Sequence, residues 1–261
     1  IPICGVAGDQ QSALFGQACF NAGEAKNTYG TGCFLLMNVG GEFLKSESGL
    51  LTTLCCNSEG KVAYALEGSV FIGGAAIQWL RDGLKVINNS KETDAISQAV
   101  EEDEVVVVPA FTGLGAPYWD MYARGAIFGL TRGAEDKHIV KATVNSLALQ
   151  SKDVIDAMVK DAGNPLSILK VDGGACANNY LMQLQADLLE CNIERPANIE
   201  STAMGAAYLA GMYLKMWDAE LIKKNKEVDQ IFVPSMGVDK RKNMLQQWKK
   251  AVDKTMNWID K

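Results

Sequence analysis

The 261-residue sequence predicts an α/β fold, and three observations carry that prediction. Short β-branched or apolar runs alternate with helix-period segments along most of the chain. Two of those runs lead through glycine-bearing turns into helices: residues 1–6 through Ala7-Gly8-Asp9-Gln10-Gln11 to 12–18, and residues 167–171 through Asp172-Gly173-Gly174 to 180–190. Four further runs at 25–28, 33–38, 50–55 and 61–66 are separated only by turns, so they read as a meander packed beside the first strand.

Taken in order, the opening run places Asp9 and Gln10 where a strand ends, the position at which open α/β sheets carry their chemistry. Asp9 has two readings there, helix N-cap or general base toward an attacking hydroxyl. The turn Gly30-Thr31-Gly32 also has two, a hairpin turn or a glycine-flanked hydroxyl that lets backbone N–H groups approach phosphate oxygens. Phe34, just beyond it, reads as a core aromatic. Gly73-Gly74 opens a helix over 75–80 that Arg81-Asp82-Gly83 ends; free N–H groups for a ring or phosphate, and tight helix packing, are equally good reasons for the glycine pair.

Residues 91–99 form a short amphipathic helix, and Glu101-Glu102-Asp103-Glu104 reads as a solvated acidic connection. Residues 105–108 are a continuous β-branched strand buried on both faces. The glycine, proline and aromatic segment at 111–120 is either a ligand loop or a rigid plug, and Asp120 and Arg124 are candidates for interdomain contacts. The longest helical pattern covers 136–160 and stops at Gly163-Asn164-Pro165. A short strand at 191–195, a small-residue helix at 201–216, a marginal polar stretch at 219–226 and a closing amphipathic helix at 239–259 complete the chain.

Composition excludes several classes. Apolar residues make up 48% and the net charge of -6 is spread through mixed charges, which argues against disorder and against nucleic acid or an anionic membrane as main partner. Seven scattered cysteines without a C-x-x-C pair predict reduced thiols in a cytoplasmic compartment. The single histidine, His138, leaves no room for a His-rich metal site and reads as a helix-surface residue. No apolar run approaches the roughly 18 residues of a membrane span. The sequence begins inside a strand-like run, from which we expect a domain excised from a longer chain.

Several motifs resemble, in order, the C-terminal half of the FGGY carbohydrate kinases, and among them the glycerol-phosphorylating members: Gly8-Asp9-Gln10-Gln11, Asn27-Thr28-Tyr29-Gly30-Thr31-Gly32-Cys33-Phe34, Ala65-Leu66-Glu67-Gly68-Ser69, residues 75–84, 109–120 and 125–133, Val171-Asp172-Gly173-Gly174-Ala175, and residues 205–211. The resemblance implies an actin/hexokinase-like ATPase domain of ribonuclease H-like fold, a mixed sheet with helices on both faces. It implies that residues 1–261 are the C-terminal nucleotide-binding domain of a two-domain kinase whose N-terminal domain is absent. Asn145 departs from the acidic residue usual at that position in the family.

On the same resemblance the reaction is phosphoryl transfer from ATP to glycerol, giving glycerol 3-phosphate. Asp9 is the implied general base, Gln10 a polyol partner and Phe34 the apolar wall of the polyol site. Gly30, Thr31, Gly74, Gln78, Gly173, Gly174 and Asn178 are the implied nucleotide contacts, with Asp172 supporting the turn. Mg2+ is expected to be held mainly through the nucleotide and the N-terminal domain, and a homo-oligomer of the full enzyme is open. A sister kinase acting on a pentulose or gluconate, and a non-catalytic ATP-binding sensor half, are the alternative readings.

Overall fold

The computed structural model describes residues 2–101 and 104–260. Ile1, Glu102 and Asp103, and with them part of the expected first strand and of the acidic connection, lie outside the described residues. A seven-stranded mixed sheet forms the centre, in the order β3-β4-β2-β1-β7-β8-β9. Its strands are β1 (Glu24–Tyr29), β2 (Cys33–Gly40), β3 (Leu51–Cys56), β4 (Val62–Val70), β7 (Ile168–Asp172), β8 (Ile193–Pro196) and β9 (Val228–Phe232). The strands β1, β7 and β8 run parallel, while the β1-β2-β4-β3 meander and the β8-β9 pair are antiparallel. A separate ribbon pairs β5 (Val106–Val108) with β6 (Ala126–Phe128).

The register sorts the sheet into two unlike faces, because side chains alternate along each strand. Ala25, Tyr29, Leu35, Met37, Leu66, Leu169, Val171 and Ile193 share one face and are buried in the main core. That face is covered by α4 (Asp136–Ala162) and α5 (Asn179–Leu189). Asn27 Nδ2 donates to Ser151 Oγ of α4 at 3.1 Å, and Tyr29 Oη donates to Gln185 Oε1 of α5 at 2.7 Å. Lys26, Thr28, Leu36, Glu67, Lys170 and Asp172 occupy the opposite face, under α1 (Asp9–Gly16) and α6 (Ser201–Tyr213). One face therefore holds the fold together and the other carries charge.

The expected strand at 1–6 does not form. Residues 2–8 have no ladder partner, and Ile3 and Val6 are 85% and 82% exposed. β1 already has β2 and β7 on its two sides, so no position beside it remains open. The segment instead runs along α6, where a Cβ on Gly5 would lie 2.6 Å from the Ala206 carbonyl oxygen.

Four other expectations are adjusted. β6 and β9 were not foreseen: β6 has three residues, too few to show a period, and β9 is an edge strand in which only Phe232 is buried. The marginal stretch becomes α7 (Ala219–Asn225), because Asp218 accepts from the Leu221 N–H at 2.9 Å while Ala219 and Ile222 bury against Phe15 and Phe20. The small-residue helix ends at Tyr213. The closing helix, α8 (Val238–Thr255), stops short of 259 because the tail turns to hydrogen-bond the 120–122 loop through Asn257 and Ile259. The remaining short helices are α2 (Gly74–Gln78), which continues into one π-type turn, and α3 (Glu92–Ala99).

Asp120 is buried and spends its carboxylate on backbone N–H groups of Tyr122, Ala123 and Asn257, so the structure accounts for it as the anchor of that tail. Arg124 donates to the carbonyls of Met121 and Ala123. Gly163 ends α4 at φ 66, as the glycine predicted, and His138 Nδ1 accepts from the Glu135 N–H at the other end. All seven thiols are free; burial pushes Cys19 and Cys176 up to about 11 and Cys33 and Cys55 up to about 12.

Burial also acts on Asp153 of α4, whose Oδ2 accepts from Trp248 Nε1 at 2.7 Å and from Tyr118 Oη at 2.9 Å. Removal from water pushes its carboxyl from 3.8 up to about 6, against those hydrogen bonds. The folded state therefore binds the proton more tightly than the unfolded one. This contribution to stability is complete below pH 3.8 and is lost as pH rises through 6, amounting to roughly 3 kcal/mol. Asp153→Asn keeps an acceptor and removes the buried charge, so urea unfolding at pH 7.5 is expected to show it about 1 kcal/mol more stable than wild type, without the step between pH 4 and 6. An unchanged step in the variant would assign it to another group.

Candidate active site

The parallel pairing of β1 and β7 sets Thr28 opposite Asp172, so the turns that follow the two strands leave the sheet side by side. A cleft of about 540 Å³ opens there. Six of the seven expected nucleotide residues, Gly30, Thr31, Gly74, Gln78, Gly174 and Asn178, line it, although up to 148 residues separate them in sequence. Part of its lining is apolar, from Ile77, Val144, Leu147 and Leu181, and part is polar, with the exposed Lys91, the partly buried Asp94 and the buried Thr93. Such a combination suits a flat base against the apolar part and a charged tail beside the polar part.

The glycines of the cleft have different reasons to be glycine. A Cβ on Gly174 would meet nothing within 4 Å, so its face is open space over the cleft. Gly173, the one expected residue that does not line the cleft, has φ +83, and a Cβ there would sit 2.5 Å from the Tyr29 carbonyl oxygen. Its place is behind the site, where it lets the β7 turn pack on β1. A Cβ on Gly74 would lie 2.6 Å from the Gly30 oxygen, and the Gly74 N–H donates to that same oxygen at 2.8 Å. The Thr31 carbonyl accepts from Gly73 and Ala75 at 2.9 and 3.0 Å, so α2 and the Thr31 turn form one unit. Asn178 caps α5 by accepting from the Leu181 N–H at 2.8 Å, and its Nδ2 donates to Thr93 Oγ1 at 3.1 Å. The residue thus fixes two walls of the cleft at once.

Asp9 and Gln10 lie elsewhere, on the charged face of the sheet. Asp9 is the first residue of α1 rather than its N-cap, which is Gly8, and its exposed carboxylate accepts from the Gln10 N–H at 2.8 Å. Gln10 Oε1 accepts from Lys26 Nζ, which also donates to Thr28 Oγ1 at 2.9 Å. Phe34, opposite Thr28 in the register, shares that face and is 36% exposed, not a core aromatic. Thr28 connects the two regions: it stands on the face of Lys26 and precedes Thr31 at the cleft by three residues, roughly 10 Å along a strand.

Lys26 and Glu67 were not singled out by sequence. Burial holds the Lys26 ammonium down to about 8, against the nearby carboxylates of Asp172, Glu67 and Asp9, and burial likewise raises Glu67. Asp172 is buried and its Oδ2 accepts from Gln17 Nε2 at 3.2 Å, so it serves the Lys26 side of the turn. The legible signal was a lysine in a short strand, two residues from a threonine on the same face. Among the described residues, no group of three or more His, Cys, Asp or Glu side chains could hold a metal ion.

A mixed sheet whose adjacent parallel strands end in two glycine turns over one cleft, with helices on both faces, defines an actin/hexokinase-like ATPase domain. The chain belongs to the FGGY family of carbohydrate kinases, whose C-terminal domain matches residues 25–214. It is 58% identical over 260 residues to the glycerol kinase of Fusobacterium nucleatum, across 99% of this chain and 52% of that protein. Among solved structures it is similar to the Plasmodium falciparum glycerol kinase with ADP, with a TM-score of 0.88 and 41% identity over 95% of this chain and 50% of that one. The fold also matches the xylulose kinase of Lactobacillus acidophilus, at a TM-score of 0.83 and 20% identity, covering 95% of this chain and 50% of that one. The chain spans about half the length of the relatives it matches.

Proposed function

We propose that this chain is the C-terminal, nucleotide-binding half of a two-domain kinase that transfers the terminal phosphoryl group of ATP to glycerol. The observation that carries the proposal is the shared cleft: the Gly30-Thr31 turn and the Gly174-Asn178 turn face one cavity, and β1 joins that cavity to the Asp9 cluster. In this reading the base lies toward Gly174, where no side chain intrudes, and the terminal phosphate lies toward Thr31. Asp9, exposed and at the first turn of α1, accepts the hydroxyl proton. Gln10 binds a polyol oxygen, and the half-exposed ring of Phe34 covers the carbon chain.

Phosphoryl transfer works by positioning and by meeting charge on the transferred oxygens. Mg2+, bound through the nucleotide phosphates, would supply part of that charge. In this reading its protein ligands lie mainly in the other domain; among the described residues no group of three or more His, Cys, Asp or Glu side chains could hold it. The same reading places the enzyme in the cytoplasm, in keeping with seven free thiols.

The test is in two parts. Calorimetric titration of the 261-residue chain with ADP is expected to show weak binding, and Gly174→Leu to weaken it at least tenfold, with an unchanged melting temperature because the added side chain enters open space. The full-length protein is expected to release ADP only when glycerol is present, whereas this chain alone turns over negligibly because half the cleft is missing. Glycerol-independent release, or Gly174→Leu binding ADP as wild type does, would overturn the assignment.

A further inference from the structure

We propose that Lys26 is a positioning residue for the polyol subsite: its buried ammonium fixes the carboxamide of Gln10 with Oε1 toward the sheet and Nε2 toward Asp9. This inference rests on the functional reading above and adds to it how the substrate-facing amide is oriented.

A glutamine amide has two ends of nearly equal shape, an acceptor and a donor, and by itself it is free to present either. Here each end has a partner that accepts only one orientation. Lys26 is fully buried and carries donors only, so it can face nothing but Oε1. The carboxylate of Asp9 is acceptor-only, and it takes Gln10 Nε2 at 3.4 Å on one oxygen and the Gln10 backbone N–H at 2.8 Å on the other. The polarised chain Lys26, Gln10, Asp9 thus has one possible direction. Thr28 Oγ1 holds the ammonium from the side at 2.9 Å.

The cation is placed by the sheet. Lys26 points to the charged face from the strand between β2 and β7, with Leu36 and Lys170 beside it in the register. The ionisable groups facing it are Asp172 from β7, Glu67 from β4, Asp9 from α1 and Cys19 just beyond α1. Lys170 turns away to donate to the Ala18 carbonyl at 3.0 Å. A buried lysine this poorly solvated needs acceptors, and Gln10 is the one that belongs to the site.

The consequence is a division of labour: Gln10 presents its donor end on the side of the base, where the polyol oxygen is held, and Lys26 touches no substrate. The experiment follows the Gln10 side-chain amide by NMR in the 261-residue chain as pH is raised from 6.5 to 9.5. The wild-type resonance is expected to step with a midpoint near 8, as Lys26 loses its proton, and the step to vanish in Lys26→Met. Gln10→Met, a change at a half-buried position, covers the case in which Lys26→Met fails to fold. It removes an acceptor that favours the charged amine, so the Lys26 amine is expected to titrate lower.

In the full-length kinase, Lys26→Met is expected to raise the glycerol KM about tenfold while kcat changes less than threefold, the size of one charge-assisted hydrogen bond used in ground-state binding. A Gln10 amide with no step, or a Lys26 amine unmoved in Gln10→Met, overturns the proposal. So does a kinase whose kcat falls while KM holds. A full-length protein that phosphorylates no polyol overturns the functional reading instead, and the amide step separates that failure from this one.

Discussion

Asp9→Asn in the full-length kinase is expected to lower glycerol-dependent ADP release by several powers of ten. General-base catalysis accounts for about 10²–10⁴ of this, and lost orientation of the hydroxyl adds to it. The fold is expected to tolerate the change, because Asp9 is exposed, is not the N-cap of α1, and its carboxylate is hydrogen-bonded by the neighbouring Gln10. Surface substitutions of this kind stay within about 0.5 kcal/mol. Turnover measured by coupled ADP release, set beside urea unfolding of the same variant, therefore separates chemistry from stability. A loss below tenfold would make the Asp9 carboxylate a local turn-stabilising group with no part in the reaction.

The second large effect is on stability, and it concerns how α1 is held. A Cβ on Gly205 of α6 would lie 1.8 Å from the Ser12 carbonyl oxygen, and one on Gly16 of α1 would lie 2.0 Å from the Ser201 oxygen. The two helices meet backbone to backbone, helped by Ser12 Oγ donating to the Thr202 carbonyl at 2.7 Å. No flexible side-chain end is available to yield. Gly205→Ala must separate the helices, and is expected to cost about 3 kcal/mol or more in urea unfolding. Because Asp9 opens α1, the same variant is expected to lose turnover in the full-length kinase even where it remains folded. Gly41→Ala, at a position with nothing within 4 Å, is the control, expected within about 0.5 kcal/mol. Equal stability of the two variants would contradict the packing.

Asn145, expected from the sequence to depart from an acidic family pattern, has a defined partner. Tyr180 Oη donates to Asn145 Oδ1 at 2.8 Å, tying α4 to the first turn of α5 beside the cleft. An amide oxygen accepts that hydrogen bond as a carboxylate would, so the contact does not require an acidic residue at this position.

The strands and helices that were legible in sequence are those with a long period or a clear stop: the β1-β2-β4-β3 meander with its turns, and α4 with Gly163 at its end. The motifs also picked out six residues that line the cleft, because glycine turns are local and need only a few neighbouring residues to be seen. What sequence alone did not decide was which of those glycines faces a ligand. Gly173 and Gly174 are adjacent and chemically identical, yet one abuts the Tyr29 backbone and the other opens on the cleft, a difference set by the parallel register of β1 and β7. The same limit applies to Lys26, which in sequence is one lysine in a strand and in the fold is a cation buried from bulk solvent. It applies to residues 2–8, apolar enough for a strand but left without an open place beside β1. The sequence by itself determined the local elements, the chemical types available and the family. Tertiary structure decided which side chains share a face and which are buried, because both depend on pairing between segments over a hundred residues apart.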